Sequence, residues 1–329
     1  MPNRPAPRWL IRALLLALAI ATLAGCATPA GTQTGTPAGA VSGGSSASGA
    51  SPTPVATTPP ATAALTPSST PGKVSAGATA PAQGSAATPA SSASSSAYSF
   101  PLLAPGAALP SEAYCAAHMQ RASWEPRPQN TAANQRIPSG AQLAALSVWG
   151  AAMGLDPRAD QLRQQMTGGF TGTTDEILQW VACKWGVPVD VVRAEAVVES
   201  SWLQSTQGDQ TSDQSVCPPG TWSGGSCDQS YGILQIMYQY NASAWPMSRD
   251  DTAFSAEYVY GMIRACYEGW TTYLRAMTPL PGYPAYRAGD LWGCLGRWYS
   301  GGWYDQGAID YIAKVKAVYD QKPWRSPGF

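Results

Sequence analysis

A helical pattern of apolar residues runs from residue 191 to residue 202 and has one carboxyl group on its apolar face. Apolar side chains recur there at intervals of about three and four, the spacing that aligns side chains along one side of a helix. They form two adjacent stripes: Val191, Ala194, Val198 and Trp202, then Val192, Ala196, Glu199 and Leu203. Burial removes the solvation of a carboxylate, and Glu195 adds a like charge one turn earlier, so Glu199 should favour its protonated, proton-donating form. The alternative is a Glu near a helix end that turns out to water.

Two helices in close succession are predicted around this pattern. Thr173 and Glu176 have the spacing of a capping box, in which each side chain bonds to the other residue's backbone N–H, and they open the first helix. Gly186 ends that helix, and Asp190 is the predicted N-cap of the second helix, which contains the apolar pattern. We therefore expect the second helix to lie in the core.

The rest of the sequence after residue 99 also favours helices over strands. Further helices are predicted at residues 141–153, 254–277 and 308–320. Prolines and asparagines predict an extended arm at residues 111–138, pinned by Cys115, and polar, glycine-rich sequence predicts a long surface loop at residues 203–229. We expect residues 100–329 to form one mainly α domain.

Residues 1–25 have the features of a secretory signal. Arg4, Arg8 and Arg12 precede an apolar run at residues 13–24 that is too short to span a bilayer as a permanent helix. The run ends in Leu-Ala-Gly-Cys and resembles a bacterial lipoprotein signal, which implies cleavage before Cys26 and diacylglycerol on its sulfur. A plain signal peptide with an incidental Cys is the alternative. Acyl chains would attach the protein to a membrane surface.

Residues 26–99 are predicted to be a disordered linker that begins at the lipidated Cys26. The segment consists mostly of Ala, Ser, Thr, Pro and Gly, with Lys73 as its one charged residue. Such a composition buries too little apolar surface to offset the entropy that ordering costs. A flexible coil of about seventy residues would average roughly 50 Å from end to end. A glycosylated stalk is the alternative interpretation.

Charge and histidine content exclude several classes of function. The formal net charge is zero, so no basic patch indicates a nucleic-acid partner. His118 is the only histidine and no Cys-x-x-Cys occurs, so we expect neither a metal site nor a cofactor. Asp209, Asp213 and Asp228 lack the spacing of a calcium loop and are expected to be solvated acids.

The cysteines predict disulfide bonds. Seven cysteines less Cys26 leave six, and an even number in an exported domain is typical of disulfide pairing. We expect Cys217 to pair with Cys227, because the turn-rich loop between them needs a covalent restraint. The pairing of the other four is left open: Cys115, Cys183, Cys266 and Cys294.

A second apolar segment, at residues 230–237, contains one polar amide. Its sequence is Ser-Tyr-Gly-Ile-Leu-Gln-Ile-Met, in which Gly232 permits close backbone approach and Gln235 stands among apolar neighbours. A buried Gln needs hydrogen-bond partners, which sugar hydroxyl or N-acetyl groups would supply, and the alternative is a Gln bonded to backbone in the core. Five nearby aromatic residues could stack on sugar rings or pack in the core: Trp202, Trp222, Tyr231, Tyr240 and Trp303.

Three short motifs together resemble those of the soluble lytic transglycosylases and goose-type lysozymes. They are Glu199-Ser200, Gly232-Ile233-Leu234-Gln235 and Trp298-Tyr299-Ser300-Gly301-Gly302, in the order that this group shows. The resemblance covers residues 173–320 and implies a lysozyme-like fold of the transglycosylase type for the catalytic domain.

The resemblance implies a role for each matching residue. Glu199 matches the single catalytic acid and base, and Ser200 matches the small polar residue after it. Gln235 matches the glutamine that faces substrate, and Tyr299 the tyrosine whose hydroxyl supports the glutamate. Two serines depart from the pattern. Ser230 is one position out of register, because Tyr231 directly precedes Gly232 as in the goose-type proteins, and Ser300 stands where Asn is usual.

The implied activity is lytic cleavage of peptidoglycan with formation of a 1,6-anhydromuramyl product. Alternatives are a hydrolytic muramidase or other β-glycosidase, in which Asp209, Asp213 or Asp228 assists water, and a wall-binding lipoprotein that no longer cuts. A structural envelope protein is a further alternative. We expect a monomer whose partners are glycan strands and, through the lipid, a membrane. Ala27 favours the periplasmic face of the outer membrane in a cell with two membranes, and otherwise the outer face of the cytoplasmic membrane applies.

Overall fold

Residues 100–329 are described by a computed structural model and form a mainly helical domain with three short strands. The predicted signal, the lipidated Cys26 and the predicted linker lie outside the described residues. Ten α-helices follow in order within residues 100–329: α1 Glu112–His118, α2 Thr131–Asn134, α3 Gly140–Ala144, α4 Ala159–Arg163, α5 Thr174–Trp185, α6 Val189–Ser200, α7 Met247–Asp250, α8 Thr252–Tyr267, α9 Leu291–Ser300 and α10 Gln306–Gln321. None of these helices is both long and apolar enough to cross a membrane.

Single 3₁₀ turns and a small sheet complete the secondary structure of the described residues. The 3₁₀ segments are Pro128–Asn130, Ala151–Met153, Gln214–Val216, Tyr238–Tyr240, Ala242–Ala244, Thr272–Ala276 and Pro323–Arg325. The strands β1 (Gln207–Gly208), β2 (Ser230–Tyr231) and β3 (Ile236–Met237) form an antiparallel sheet in chain order. Gly208 pairs with Ser230, and Tyr231 pairs with Ile236. The segment between β2 and β3 is therefore a tight turn that contains the second motif.

The capping box that opens α5 is confirmed. The backbone N–H of Glu176 donates to Thr173 Oγ1 at 3.3 Å, and that of Thr173 donates to Glu176 Oε2 at 2.9 Å. The helix ends as predicted, because Gly186 takes a left-handed conformation with φ of 62°.

The N-cap predicted for α6 is wrong. The helix begins at Val189 after Pro188, so Asp190 lies in its first turn and is not the cap. Proline's fixed φ and missing N–H suit the start of a helix, and the Asp190 carboxylate instead pairs with Arg193 at 3.2 Å and Lys322 at 2.5 Å.

Helix α6 is buried along most of the predicted stripes but ends earlier than they do. Val191 and Val192 are buried, whereas Val198 is only half-buried. The helix stops at Ser200, and Trp202 has φ of 67°, which breaks the helical spacing. Trp202 is nevertheless fully buried in an aromatic cluster, and its indole N–H donates to the carbonyl oxygen of Arg193 at 2.9 Å.

The core is formed by two helices that are buried along their whole length, α5 and α8. They pack on each other, α6 packs on α5, and α10 packs on both α6 and α9. The two buried cations of α5 and α8 are paired with carboxylates. Lys184 of α5 forms ion pairs with Glu257 of α8 and with Glu112, and Arg264 bonds to Glu268 Oε1 at 2.5 Å. The buried end of α6 thus lies against α10, which positions the candidate site.

Three other predicted segments differ in length or type. The arm at residues 111–138 contains α1 and α2, because Ser111 caps α1 by accepting a bond from the Tyr114 N–H at 3.2 Å. The helix at residues 141–153 is limited to α3 and one 3₁₀ turn. The helix predicted at 254–277 ends at Tyr267, because Gly269 has φ of 81° and reverses the chain before the 3₁₀ segment Thr272–Ala276.

Three disulfides connect the six cysteines of the described residues. Cys217 pairs with Cys227, which confirms the prediction, and the pairs that the sequence left open are Cys115–Cys183 and Cys266–Cys294. Cys115 therefore joins α1 to the buried helix α5.

Replacing Cys115 and Cys183 by Ala is expected to destabilise the domain more than replacing Cys217 and Cys227. The first bond closes a loop with a sequence separation of 68 and the second a loop of 10. Loop-closure entropy then gives losses of about 4 and about 3 kcal/mol, and the buried pair adds a cavity. Urea unfolding of the two double variants measures the difference. Equal losses would show that the longer loop is already restrained in the unfolded chain.

Candidate active site

Glu199 lies in the last turn of α6 and is buried, with 1% of its surface exposed. Its Oε1 accepts a hydrogen bond of 2.6 Å from the hydroxyl of Tyr311, which is buried on α10. The two residues are 112 positions apart, so only the packing of α10 on α6 brings them together. The carboxyl group is therefore kept from bulk water, and the Tyr311 hydroxyl orients it.

Tyr299 contacts this pair through its ring. It is half-buried in the last turn of α9 and stacks on Tyr311 with ring centroids 4.5 Å apart and planes 6° from parallel. The third motif thus lies beside the hydroxyl that holds Glu199.

Tyr311 is the supporting residue that sequence reasoning missed. A signal for it exists, because Ala308, Tyr311, Ile312 and Val315 form the buried stripe of α10. A tyrosine in a core stripe needs a hydrogen-bond partner for its hydroxyl group. The carboxyl group predicted to be buried on α6 is a suitable acceptor.

A second carboxyl group, Glu195, lies one turn before Glu199 and is completely buried. Its Oε1 is 3.2 Å from the hydroxyl oxygen of Tyr311. Burial, aided by the charge of Glu199, raises the pKa of Glu195 to about 8, although the hydroxyl groups of Tyr260 and Tyr311 act in the opposite direction. Burial beside Glu195 raises the pKa of Tyr260 well above its ordinary value. At neutral pH the Glu195 carboxyl group is therefore protonated.

The turn between β2 and β3 packs tightly against the rest of the domain. Gly232 has φ of 86°, and a Cβ built there would lie 2.5 Å from Ser255 Oγ and closer still to the carbonyl oxygen of Ser248. Only glycine fits this position without a shift of backbone. Ser200 Oγ donates at 2.8 Å to the carbonyl oxygen of Ile233, which attaches the end of α6 to the turn. The first two motifs are thus in direct contact.

Gln235 has the geometry of the alternative interpretation, a glutamine bonded to backbone. It is 5% exposed, and its Nε2 donates to the carbonyl oxygens of Thr206 at 3.0 Å and Gly232 at 2.8 Å. These two bonds use both amide hydrogens, so a contact with a ligand would fall to Oε1. The side chain closes the turn and links it to the start of β1.

The remaining predicted site residues make local structural contacts. Ser230 is buried and donates from Oγ to the carboxylate of Asp209, and Tyr231 is buried with its hydroxyl donating to the Asp228 carbonyl oxygen at 2.7 Å. Ser300 is half-buried, and its Oγ accepts from the Gly302 N–H at 3.0 Å. These bonds stabilise the sheet and the turn after α9.

Most of the predicted sugar-stacking rings are core residues. Trp202, Tyr231 and Trp303 are buried, whereas Trp222 and Tyr240 are half-buried. Packing therefore accounts for the first three, and only the other two present part of a face to solvent.

The three acids of the long loop differ in their surroundings, and Asp228 is half-buried. Asp209 follows β1 directly and is joined by Ser230 to the same sheet that carries Gly232. Asp213 is exposed and accepts bonds from the N–H of Ser215 at 3.0 Å and from its hydroxyl at 2.7 Å. Within residues 100–329 no three His, Cys, Asp or Glu side chains are grouped so as to hold a metal ion.

A cavity of about 570 Å³ lies away from the carboxyl group of Glu199. It is lined by Pro188 and Val191 at the N-terminal end of α6, and also by Arg287, Trp292 and Tyr319. Glu199 lies at the C-terminal end of the same helix. The cavity and the buried acid are therefore separate features.

No protein-family model, curated protein or solved structure matched the chain. The structure joins the three motifs around one buried acid, since Ser200 bonds to the second motif and Tyr299 stacks on the tyrosine that holds Glu199.

Proposed function

We propose that the protein is a lytic transglycosylase with a lysozyme-like catalytic domain, which cleaves the β-1,4 bond between N-acetylmuramic acid and N-acetylglucosamine. The observation that carries the proposal is the buried Glu199, which Tyr311 holds and whose neighbour Ser200 bonds to the second motif. A carboxyl group in this setting can give a proton to a glycosidic oxygen and take one back.

Glu199 acts twice in the proposed reaction. It first protonates the glycosidic oxygen as the bond from that oxygen to C1 breaks, and an oxocarbenium-like centre develops. Its carboxylate then accepts the proton of the muramyl C6 hydroxyl as the C6 oxygen bonds to C1. The products are a 1,6-anhydro ring and a free sugar hydroxyl, no water is consumed, and Glu199 ends protonated. A second carboxylate is not required.

Incubation of the full chain with purified sacculi is expected to release anhydromuropeptides. Mass spectrometry identifies them, because a hydrolytic product is heavier by one water and carries a reducing sugar. Release of reducing ends would replace this proposal with a muramidase. Binding to sacculi without any release would indicate a wall-binding protein.

A hydrolytic muramidase is the second candidate, and Asp209 is the observation that favours it. This acid is fixed by Ser230 to the sheet that carries the Gly232 turn, and a hydrolase needs a second carboxylate to direct water. Two results together would support this alternative: the wild type releases reducing sugars and no anhydro products, and Asp209→Asn no longer releases the reducing sugars.

We also propose that the enzyme works while attached to a membrane through Cys26. A long tether would confine the domain near the wall and raise its local concentration there. Fatty-acid labelling of Cys26 is the measurement that tests the attachment.

A further inference from the structure

One hydroxyl group lies between two buried carboxyl groups. Tyr311 Oη is 2.6 Å from Glu199 Oε1 and 3.2 Å from Glu195 Oε1. A tyrosine hydroxyl has one hydrogen and can donate to only one of these oxygens. The second contact is therefore a hydrogen bond only if the other carboxyl group supplies the hydrogen.

The surroundings of Glu195 favour its neutral form. Three titratable groups act on it: Glu199 from its own helix, Tyr260 from α8 and Tyr311 from α10. Among the described residues, α5, which also packs on α6, contributes no charged group to this cluster. A charged Glu195 would face Glu199 in the core, and the groups that act on Glu195 include no cation, so its ionisation is costly.

We propose that Glu195 is a positioning residue, which donates its carboxyl hydrogen to the oxygen of Tyr311 and so directs the Tyr311 hydrogen to Glu199. This role rests on the proposed function, in which Glu199 is the catalytic acid and base. The hydrogen bonds then run in one direction, from Glu195 to Tyr311 and from Tyr311 to Glu199. Every hydrogen has one acceptor, and the only carboxyl group that becomes charged during turnover is Glu199.

Ionisation of Glu195 would disrupt this arrangement. The Tyr311 hydrogen would then be shared between two carboxylates, and Glu199 would carry its negative charge next to a second one. Since the pKa of Glu195 is raised to about 8, the neutral form predominates below that pH and is lost above it. Activity that depends on the arrangement should therefore fall as the pH rises through about 8.

Two replacements of Glu195 separate its hydrogen bond from its bulk. Glu195→Gln keeps a donor for Tyr311 and does not titrate, whereas Glu195→Met keeps similar length without a donor. We expect kcat of the Gln variant to stay within about threefold of wild type near neutral pH and to fall less than wild type as the pH rises through about 8. The fall that remains is the one that any general acid shows when it loses its proton. We expect kcat of the Met variant to lie about tenfold below wild type at neutral pH with KM unchanged. The difference should shrink above about pH 8, where wild type loses the same hydrogen bond.

Two results in the pH profiles would overturn the proposal. One is a Gln variant that loses as much kcat as the Met variant, and the other is a Gln variant with the same alkaline fall as wild type. If Glu195→Met does not fold, the pH profiles of wild type and Glu195→Gln still test the proposal, because the same alkaline fall of kcat in both would overturn it.

Infrared spectroscopy of the full chain tests the same arrangement without substrate. The protonated-carboxyl signal should contain a component that titrates near pH 8 and is missing from Glu195→Gln. That variant keeps the signal of Asp251, whose pKa burial raises to about 7. Absence of the component that titrates near pH 8 from the wild type overturns the proposal whatever the activity. If this component behaves as expected but the protein releases no lytic products, the proposed function is overturned and the protonation of Glu195 is still supported.

Discussion

Sacculi incubated with Glu199→Gln should yield anhydromuropeptides at a rate about 10² to 10⁴ lower than with wild type. Gln keeps the shape of the side chain and can still accept the bond from Tyr311, which in the wild type is 2.6 Å long. It cannot deliver a proton to the leaving oxygen or remove one from the C6 hydroxyl. Product release measured by mass spectrometry over time gives the ratio.

Asp320→Asn is the matched control for this variant. Asp320 is an exposed carboxylate on α10, so the change also removes one acidic group but leaves the buried cluster intact. Its rate should equal that of wild type, and both variants should unfold at the same denaturant concentration as wild type. Wild-type rates in Glu199→Gln would remove this residue from the mechanism.

Replacing Gly232 by Ala should lower the free energy of unfolding by about 2 to 5 kcal/mol and remove most activity. A left-handed conformation with φ of 86° is strained for alanine, and the added Cβ would overlap the carbonyl oxygen of Ser248. The turn must then move, and it is the segment to which Ser200 attaches the end of α6. Urea unfolding followed by circular dichroism measures the loss.

Gly220→Ala isolates the conformational part of that loss. Gly220 has φ of 79°, but a Cβ there meets nothing within 4 Å. We expect it to cost about 1 to 2 kcal/mol and to leave activity unchanged, because only backbone strain is added. Equal losses of unfolding free energy in the two variants would mean that the turn at Gly232 shifts to accommodate an added methyl group at no further cost.

Features encoded by neighbouring residues were predicted from sequence. The capping box of Thr173 and Glu176 and the Cys217–Cys227 bond each depend on residues at most ten positions apart. The buried helix with Glu199 also follows from a local repeat. Such signals need no knowledge of what packs against them.

The parts of the site that depend on distant residues were not predicted. Tyr311 is 112 positions from Glu199 and 116 from Glu195, and its role follows from the packing of α10 on α6. The sequence drew attention to Glu199 as the carboxyl group favoured in its neutral form. In the structure burial raises the pKa of the neighbouring Glu195, and the charge of Glu199 acts in the same direction.

Trp202 shows that helical spacing can predict burial without predicting the backbone conformation. Helical spacing predicts Trp202 on the apolar stripe of α6, and it is buried, but it enters the core after that helix has ended at Ser200. The Trp202 backbone carbonyl accepts a bond of 2.6 Å from Asn130, a residue of the predicted arm. The predicted burial of Trp202 is therefore confirmed, but it arises from contacts made beyond the end of the helix and not from helical spacing.

The separation of 112 residues between Glu199 and Tyr311 also sets the order in which the site can form. Contacts between distant positions close late in folding, after the intervening sheet and helices have been placed. A chain that has emerged only as far as α8 has Glu199 but not the tyrosine that holds it. If the protein cuts the wall, it becomes competent only when folding is complete, so its maturation limits when and where cutting starts.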